Sequence, residues 1–380
     1  MITILQIIPA LGTGGAEQAC VDMAKALVAR GDKALIVSSG GRRVAEAQES
    51  GAVHFLRNAQ TKNPFRIIQN AFWLAGLIRA QKVDIVHARS RAPAWSAWIA
   101  CRMTGCPYVT TFHAAYKFSS KLKKFYNRVM ARGVRVIAIS PFIRNHIHEN
   151  YGVPFARIPL INRGVDVKAF DPEKIPEDRR RQWREAWGIH EGDNLVLLPG
   201  RLSPIKNHDL ILDAMELLEK DKQPIVCFVG DDQGREAYSE HLLKRIAEAG
   251  LSEVVKLVGA CSDMPAVLSL ASLVVMPSKV PEGFGRVPVE AMAMGVPVIA
   301  SNLGATRETV IDGETGWLLP PQDPEVWATF MEKALSMSEK EKEKMAQAAR
   351  ARVLQSFSHD GMIAQTLAVY DEVIKEGLAA

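Results

Sequence analysis

The chain has 380 residues, of which 48% are hydrophobic and 23% are charged, and its formal net charge at pH 7 is +5. This length favours two domains of roughly 150–200 residues over a single core. The sequence has no apolar run of the ~20 residues that a membrane span needs and no signal-peptide pattern, and its five cysteines form no C-x-x-C pair. We therefore exclude an integral membrane protein, a disulfide framework and a structural zinc site, and we predict a cytoplasmic protein.

The charge is divided unevenly along the chain. Residues 1–170 carry 24 Lys and Arg against 8 Asp and Glu, a net +16, whereas the remaining residues carry 23 against 34, a net −11. Such a split indicates that the first half meets an anionic partner. The alternative is a gradient that serves only solubility.

Short apolar runs alternate with helical patterns through most of the chain, which is typical of parallel sheets covered by helices on both faces. The predicted strands are Ile2–Ile8, Lys33–Ser38, Ile85–Ala88, Tyr108–Thr111, Val134–Ile139, Leu195–Leu198, Ile225–Val229, Val255–Val258, Leu273–Met276, Val296–Ile299 and Gly316–Leu318. A charged, proline-containing segment, Asp171–Asp193, interrupts the alternation. The pattern predicts an α/β protein with a first domain over residues 1–168, a second over 169–356, and a final helix near Phe357–Glu376.

Three features of the first half follow predicted strands. The loop Leu11-Gly12-Thr13-Gly14-Gly15-Ala16-Glu17 is not G-x-G-x-x-G, and by itself it predicts only a tight strand-to-helix turn. Because ligands of open α/β sheets collect at the carboxyl ends of strands, His113, Arg89 and Arg91 are candidate ligand contacts. We predict that the two arginines approach an anionic acceptor. A purely structural role is the alternative for all three side chains.

The segment Tyr116–Arg135 interleaves cations with aromatic and aliphatic residues. Its cations include Lys121, Lys123, Lys124 and Arg128. A helix with this pattern is typical of peripheral binding to an anionic membrane, here the inner face of the cytoplasmic membrane. An ordinary surface helix is the alternative. Nucleic acid is a weaker rival partner, because no known nucleic-acid-binding module is present.

The second half contains a cationic loop and an acidic strand–loop–helix motif. Gly200-Arg201 and Lys206 follow a strand, and two cations there suit the charge that develops on a leaving diphosphate. In PSKVPEGFGRVPVEAMAMGVPVIAS, Pro277–Ser301, a loop carries Glu282 and a helix carries Glu290 before ending at Gly295. Glycines beside a helix N-terminus allow backbone N–H groups to reach a diphosphate. Glu290 can then point its carboxylate at paired ribose hydroxyls.

With these motifs the sequence resembles, over nearly its whole length, the retaining glycosyltransferases of family 4. The signature E-x7-E matches Glu282 and Glu290 in EGFG and EAMA contexts, and a GR…K pair matches Arg201 and Lys206. The resemblance implies the GT-B fold: two Rossmann-like domains facing each other across a cleft, with the last helix crossing back to the first domain. It also implies front-side transfer with retention of configuration, without an essential metal or any other cofactor.

The resemblance also implies a role for each matching residue. It assigns Glu282 to the donor sugar, Glu290 to the ribose, Arg201 and Lys206 to the phosphates, and His113 to a position near the donor sugar. The backbone around Gly283, Phe284, Gly285, Arg286 and Val287 would bind the diphosphate with Gly200, and Gly14 and Gly15 would face it across the cleft. Arg286 departs from the family, which usually has an aliphatic residue there; it either adds a phosphate contact or faces solvent.

The sequence leaves the substrates open. The nucleobase is expected near Val258, Cys261 and Met264, where UDP, GDP or ADP fit equally well, and a UDP-hexose or GDP-mannose donor follows only from family frequency. A lipid-linked or lipopolysaccharide-type acceptor is the leading expectation. A sugar-nucleotide epimerase and a catalytically inactive glycan- or membrane-binding scaffold are the alternatives. Asp231-Asp232 is a metal candidate by composition alone and is more simply interpreted as a helix N-cap.

Overall fold

The computed structural model describes residues 1–12 and 14–378, so Thr13 of the glycine loop and the last two alanines lie outside the described residues. The chain divides into two compact units. Unit 1 comprises Met1–Asn162 together with Asp360–Ala380, and unit 2 comprises Arg163–His359. The division after Asn162 falls a few residues before the boundary predicted after residue 168.

Unit 1 contains a parallel sheet with strand order β3-β2-β1-β4-β5-β6 in the described part of the chain. The strands are β1 (Thr3–Ile7), β2 (Lys33–Ser38), β3 (Val53–Leu56), β4 (Ile85–Ala88), β5 (Tyr108–Phe112) and β6 (Arg135–Ala138). The helices are α1 (Gly15–Ala29), α2 (Val44–Glu49), α3 (Pro64–Gln81), α4 (Arg91–Thr104), α5 (Lys121–Asn127) and α6 (Pro141–Tyr151).

The strand order determines which helices share a face of this sheet. Parallel crossovers are almost always right-handed. Because α1 and α2 lead from β1 outward to β3, they cover one face, whereas α3 to α6 lead in the opposite direction and cover the other. Local signals agree with these elements: Asn63 caps α3 with its side chain, Pro64 occupies the first turn, and α4 ends at Gly105, whose φ is +76°.

Unit 2 repeats this architecture, with strand order β12-β11-β10-β7-β8-β9 among its described residues. The strands are β7 (Leu195–Pro199), β8 (Ile225–Val229), β9 (Val255–Gly259), β10 (Leu273–Met276), β11 (Val298–Ser301) and β12 (Trp317–Leu319). The helices are α7 (Glu177–Trp187), α8 (His208–Leu217), α9 (Glu236–Glu248), α10 (Met264–Leu268), α11 (Arg286–Ala293), α12 (Thr306–Thr309), α13 (Pro324–Leu335) and α14 (Glu339–Ser356). One large core joins the sheet to α8, α9 and α13, with Trp327 fully buried.

The last helix, α15 (His359–Leu378), packs on the sheet of unit 1. Val369, Tyr370 and Val373 join the core cluster that also contains α1 and α2, so α15 lies on their face of the sheet. The Tyr370 hydroxyl and His87 Nδ1 of β4 are 2.6 Å apart, and the opposite ring nitrogen lies 2.7 Å from the Thr111 hydroxyl of β5. Burial, with the nearby charges of Arg89 and His113, holds the pKa of His87 well below its usual value. This buried polar network ties the end of the chain to two central strands.

The predicted α/β class is confirmed, and two parts of the sequence interpretation are corrected. The edge strand β3 was not among the predicted strands, because its residues are largely exposed and lack the continuous apolar run of the buried strands. The helix predicted from Tyr116 begins only at Lys121, where Ser120 caps it, and it gives way to a 3-10 turn over Arg128–Arg132.

Candidate functional site

The carboxyl edge of the second sheet brings several loops together. The loops after β7 and β8 touch through backbone hydrogen bonds from Gly200 to Val229 and from Leu202 to Asp231, each 2.9 Å long. A Cβ atom on Gly230 would lie 2.0 Å from the Gly200 carbonyl oxygen, so a side chain at Gly230 would force these loops apart. The loop after β10 joins them through a 2.9 Å bond from Lys279 N–H to the Ile205 carbonyl.

Lys206, Glu282 and Ser278 form the polar centre of this edge. Lys206 Nζ lies 2.7 Å from Glu282 Oε1, and the Ser278 hydroxyl donates to the same oxygen at 2.8 Å. Lys206 ends the 3-10 turn Pro204–Lys206, while Ser278 and Glu282 belong to the loop after β10. The fold therefore places the predicted GR…K lysine against the first glutamate of the E-x7-E signature, although 75 residues separate them in the chain.

The electrostatics of this cluster keep Glu282 ionised. Burial by itself raises the pKa of the carboxyl, but the charge and hydrogen bond of Lys206, the hydroxyl of Ser278 and the charge of Arg201 outweigh it. The net pKa of Glu282 is therefore lowered from its usual value. An ionised, half-buried carboxylate can accept hydrogen bonds from sugar hydroxyls.

The loop after β11 supports Glu282 from behind. Gly304 pairs with Glu282 in an isolated parallel bridge, and the Ala305 N–H donates to the Glu282 carbonyl at 3.1 Å. Gly304 has φ +60°, and a Cβ there would lie 2.7 Å from Pro281 Cβ and 2.8 Å from the Glu282 carbonyl oxygen. Both the backbone conformation and the close approach require glycine.

The helix α11 carries the second glutamate of the signature. Gly285, with φ +81°, precedes the helix, and the buried Phe284 packs on Phe357 at a ring separation of 5.6 Å. Because α11 begins at Arg286, Glu290 lies just over one turn into it. Glu290 is buried at 8% exposure, and it accepts a 2.5 Å hydrogen bond from Arg286. The residue that departs from the family pattern thus pairs with the predicted ribose ligand.

The other predicted donor residues lie on loops of the same edge or beside them. Arg201 is exposed and donates to the Gln233 side chain at 3.3 Å. Val258, at the end of β9, and Cys261 and Met264, at the start of α10, are partly exposed, as are Gly200, Gly283 and Val287. The carboxyl ends of parallel strands are where open α/β sheets bind ligands.

The aspartate pair after β8 is not an N-cap, which corrects the sequence interpretation. The position before α9 is Arg235, and Asp232 instead accepts hydrogen bonds from the Gly234 N–H and the Ser239 hydroxyl. Within residues 1–12 and 14–378, no group of three or more His, Cys, Asp and Glu side chains is arranged to hold a metal ion.

The predicted residues of unit 1 lie at the carboxyl edge of its own sheet. Gly14 caps α1, Gly15 is its first residue, and His113 directly follows β5. A Cβ on Gly14 would lie 2.3 Å from a carboxylate oxygen of Glu17, which folds back over the start of the helix.

The two arginines predicted to meet an acceptor both have partners within unit 1. Arg89 is only 5% exposed and donates a 2.6 Å hydrogen bond to the Gln6 side chain. Arg91 donates to Asn127 at 3.0 Å and lies 4.3 Å from the ring centroid of Tyr116. An acceptor contact by either residue stays a prediction.

The predicted membrane residues are exposed on unit 1. Lys121, Lys123, Lys124 and Arg128 all face solvent, with Leu122 and Phe125 exposed between them. None of the helices in the described segments is long and apolar enough to cross a membrane.

A second exposed apolar surface escaped the sequence analysis. Phe65, Ile68 and Phe72 on α3 are 83%, 49% and 63% exposed, and their spacing places them on one side of the helix. The basic charge around this helix was visible in the sequence, because residues 50–83 contain five Lys and Arg and no Asp or Glu.

Comparison with known proteins identifies the family of this chain. The family model "Glycosyl transferases group 1" matches residues 179–352, and "Glycosyltransferase Family 4" matches residues 13–169. A glycosyltransferase structure from Rickettsia africae is 33% identical, covers 98% of this chain and 99% of its own, and superimposes with a TM-score of 0.91. The Anabaena protein Alr3699/HepE, solved in complex with UDP, is 25% identical, with 98% and 100% coverage and a TM-score of 0.85.

A curated relative adds a named activity to these comparisons. A D-inositol 3-phosphate glycosyltransferase of Jonesia denitrificans is 25% identical over 94% of this chain and 91% of its own. Two parallel sheets and a glutamate–lysine cluster at the carboxyl edge of the second define a GT-B glycosyltransferase. This chain belongs to family 4 of the glycosyltransferases.

Proposed function

We propose that this glycosyltransferase transfers a hexose from a nucleotide sugar to a lipid-linked or lipopolysaccharide-type acceptor with retention of anomeric configuration. The observation that carries the donor half of the proposal is the cluster of Lys206, Glu282 and Ser278, with Arg201 close enough to lower the pKa of Glu282. UDP-hexose and GDP-mannose are the proposed donors. The complex of Alr3699/HepE with UDP supports testing uridine nucleotides first.

In the proposed reaction the acceptor hydroxyl attacks the anomeric carbon from the face that the phosphate leaves. The new glycosidic bond forms as the bond to the phosphate oxygen breaks, and that oxygen takes the hydroxyl proton. Arg201 and Lys206 supply positive charge where the diphosphate gains negative charge, which lowers the barrier without a metal ion. Glu282 binds the hydroxyls of the sugar.

The donor base is identified by the thermal stability of the protein with UDP, GDP, ADP and their sugar conjugates, without added metal. A ligand that binds only the native state raises the melting temperature according to its affinity and concentration. We expect a shift with one nucleotide family. No shift with any of them would contradict a free-standing donor site and favour an inactive scaffold.

The ribose assignment is tested with Glu290→Ala. Among the described residues, Glu290 pairs only with the exposed Arg286, and it lies one turn into α11. We therefore expect nucleotide affinity to fall about tenfold or more. The melting temperature without ligand should change little by comparison. Unchanged affinity in a folded variant would contradict the assignment.

We propose peripheral association of unit 1 with an anionic membrane, on the face of its sheet that α3 to α6 cover. Support comes from the exposed cations and apolar side chains of α5 and from the exposed apolar face of α3. In interfacial helices, apolar side chains insert into the membrane surface and basic side chains are attracted to anionic lipids, and both helices carry both kinds of side chain. A lipid-linked acceptor would be reached from the same surface.

The membrane proposal is tested by replacing Lys121, Lys123 and Lys124 with Glu and measuring sedimentation with anionic vesicles. We expect binding to be lost. The matched control replaces the exposed Lys244, Lys340 and Lys344 of unit 2 with Glu, which changes the net charge equally and should preserve binding. Equal loss in both variants would mean that net charge alone drives the association.

A further inference from the structure

An arginine-lined groove lies on unit 1, between α4, the 3-10 turn Arg128–Arg132 and the segment after α6. Its volume is about 650 Å³, and its walls include Trp98, Arg102, Arg128, Arg132 and Arg157. A smaller adjoining cavity of about 250 Å³ shares Trp98, Arg102 and Arg132. No Asp or Glu lines either cavity in the described part of the chain.

Two of the four guanidinium groups are held in place. Arg132 lies 4.1 Å from the ring centroid of Trp98, and Arg157 donates a hydrogen bond to the Gly133 carbonyl. Aromatic stacking and a backbone acceptor fix their planes at the walls of the groove.

The other two guanidinium groups have no such anchor. Arg102 and Arg128 are exposed, and neither side chain forms a hydrogen bond or ion pair with any residue of the described ranges. These two side chains are therefore able to close over a ligand without giving up a partner.

The groove concentrates positive charge that no carboxylate balances. Like charges in a concave site focus the electrostatic potential and raise the local concentration of anions. Guanidinium groups match phosphate oxygens in two-point contacts that a lysine cannot make. The chemistry of the walls thus selects for an oxyanion with several acceptor oxygens.

Three of the four arginines lie toward the amino ends of the strands of unit 1. The second half of α4, which carries Arg102, runs toward the start of β5, Arg132 lies shortly before β6, and Arg157 bonds the Gly133 carbonyl there. Gly14 and His113 lie at the carboxyl ends. The groove shares no residue with the proposed donor site.

We propose that the groove is a binding site for a phosphate monoester group, separate from the nucleotide-sugar site. Two sources supply this chemistry: the headgroup of a phospholipid such as phosphatidic acid, and a soluble phosphorylated metabolite. The proposal does not depend on the donor assignment, because none of its residues belongs to that site.

The site is tested by calorimetric titration of the full chain with glycerol 3-phosphate, with glycerol as the uncharged control. We expect saturable binding of glycerol 3-phosphate only. Arg102→Gln/Arg128→Gln should weaken it at least about tenfold, since two charge-assisted contacts are lost. The matched variant Lys340→Gln/Lys344→Gln removes the same charge from exposed side chains of unit 2, and it should bind as the parent does.

Three results would overturn the proposal. They are no saturable binding by the parent chain, equal weakening in the two double variants, and loss of binding in Lys206→Met with retention in the groove variant. The last result would place the phosphate at the donor site.

Sedimentation with vesicles of phosphatidylcholine and phosphatidic acid then distinguishes the two sources. The same assay with phosphatidylglycerol in place of phosphatidic acid separates headgroup binding in the groove from the general surface attraction proposed for Arg128. A larger loss in the groove variant than in the Lys340/Lys344 variant, seen with phosphatidic acid only, identifies the lipid headgroup. Equal vesicle binding by the two variants, with glycerol 3-phosphate binding lost only in the groove variant, identifies a soluble phosphate monoester.

Discussion

At the scale of single residues, the ion pair of Lys206 and Glu282 connects stability with the proposed chemistry. The pair is 2.7 Å long, with about a quarter of the Glu282 side chain exposed. Removing one partner of a largely buried pair leaves the other charge without compensation, which costs more than an exposed pair is worth.

We predict that Lys206→Met lowers both transfer and the stability of the protein at neutral pH. Glu282 has a folded pKa below its usual value. Its contribution is therefore complete above that unfolded value and is lost as the pH falls through the lower folded pKa. Melting temperatures measured from neutral pH down to the acid limit should show a gap between parent and variant that narrows below about pH 4. A gap independent of pH would mean that lost packing, not the ion pair, explains the effect.

Arg286 distinguishes this chain from the usual pattern of its family, and its hydrogen bond to Glu290 suggests a test of its role. If it contacts the diphosphate when the donor binds, Arg286→Leu should weaken UDP binding several-fold and leave uridine binding unchanged. The measurement is a paired titration of nucleoside and nucleoside diphosphate, or of the guanosine pair if the donor carries guanine. Equal effects on both ligands would show that Arg286 acts only through Glu290.

At the scale of elements, the loops of the second sheet depend on close backbone contacts. We predict that Gly304→Ala destabilises the protein by roughly 2–4 kcal/mol, because it combines left-handed strain with a clash against Pro281 and the Glu282 carbonyl. Urea denaturation measures the loss of stability, and donor turnover measures the effect on the Glu282 loop.

The control for that substitution is Gly313→Ala. Gly313 also has a positive φ, +75°, but a Cβ there meets nothing within 4 Å. This variant should be destabilised by only about 1–2 kcal/mol, because it adds backbone strain without a clash. It should retain its activity. Equal losses in the two variants would mean that the contact with the Glu282 loop is unimportant.

At the scale of the whole molecule, unit 1 is completed by the end of the chain. Removing α15 uncovers the core around Tyr370 and leaves the buried His87 without its tyrosine partner. We predict that a chain ending at His359 has a destabilised unit 1 and an intact unit 2, because unit 2 spans Arg163–His359. Limited proteolysis followed by mass spectrometry should therefore yield a protected fragment near residues 163–359. Protection of residues 1–162 in the same digest would contradict the prediction.

Most of the fold was readable from local patterns. Buried parallel strands are continuous apolar runs, so eleven predicted strands overlap strands found in the described residues. The edge strand β3 lacks that pattern. It pairs with another strand on one side only and meets solvent on the other, so its side chains need not all be apolar. The helix predicted from Tyr116 was too long for a similar reason: charge and aromatic spacing indicate amphipathicity, whereas the cap at Ser120 determines where the helix begins.

The sequence by itself determined the fold class, the family and the residue types at the candidate donor site, because turns, glycine positions and E-x7-E spacing are local properties. Only the tertiary structure decided which of these residues meet. It paired Lys206 with Glu282 and Arg286 with Glu290, and it gathered four arginines around one groove. It also placed Arg89 against Gln6 and Arg91 against Asn127. Such pairings depend on the order of the strands in each sheet. That order is a long-range property, and the local sequence around each residue does not specify it.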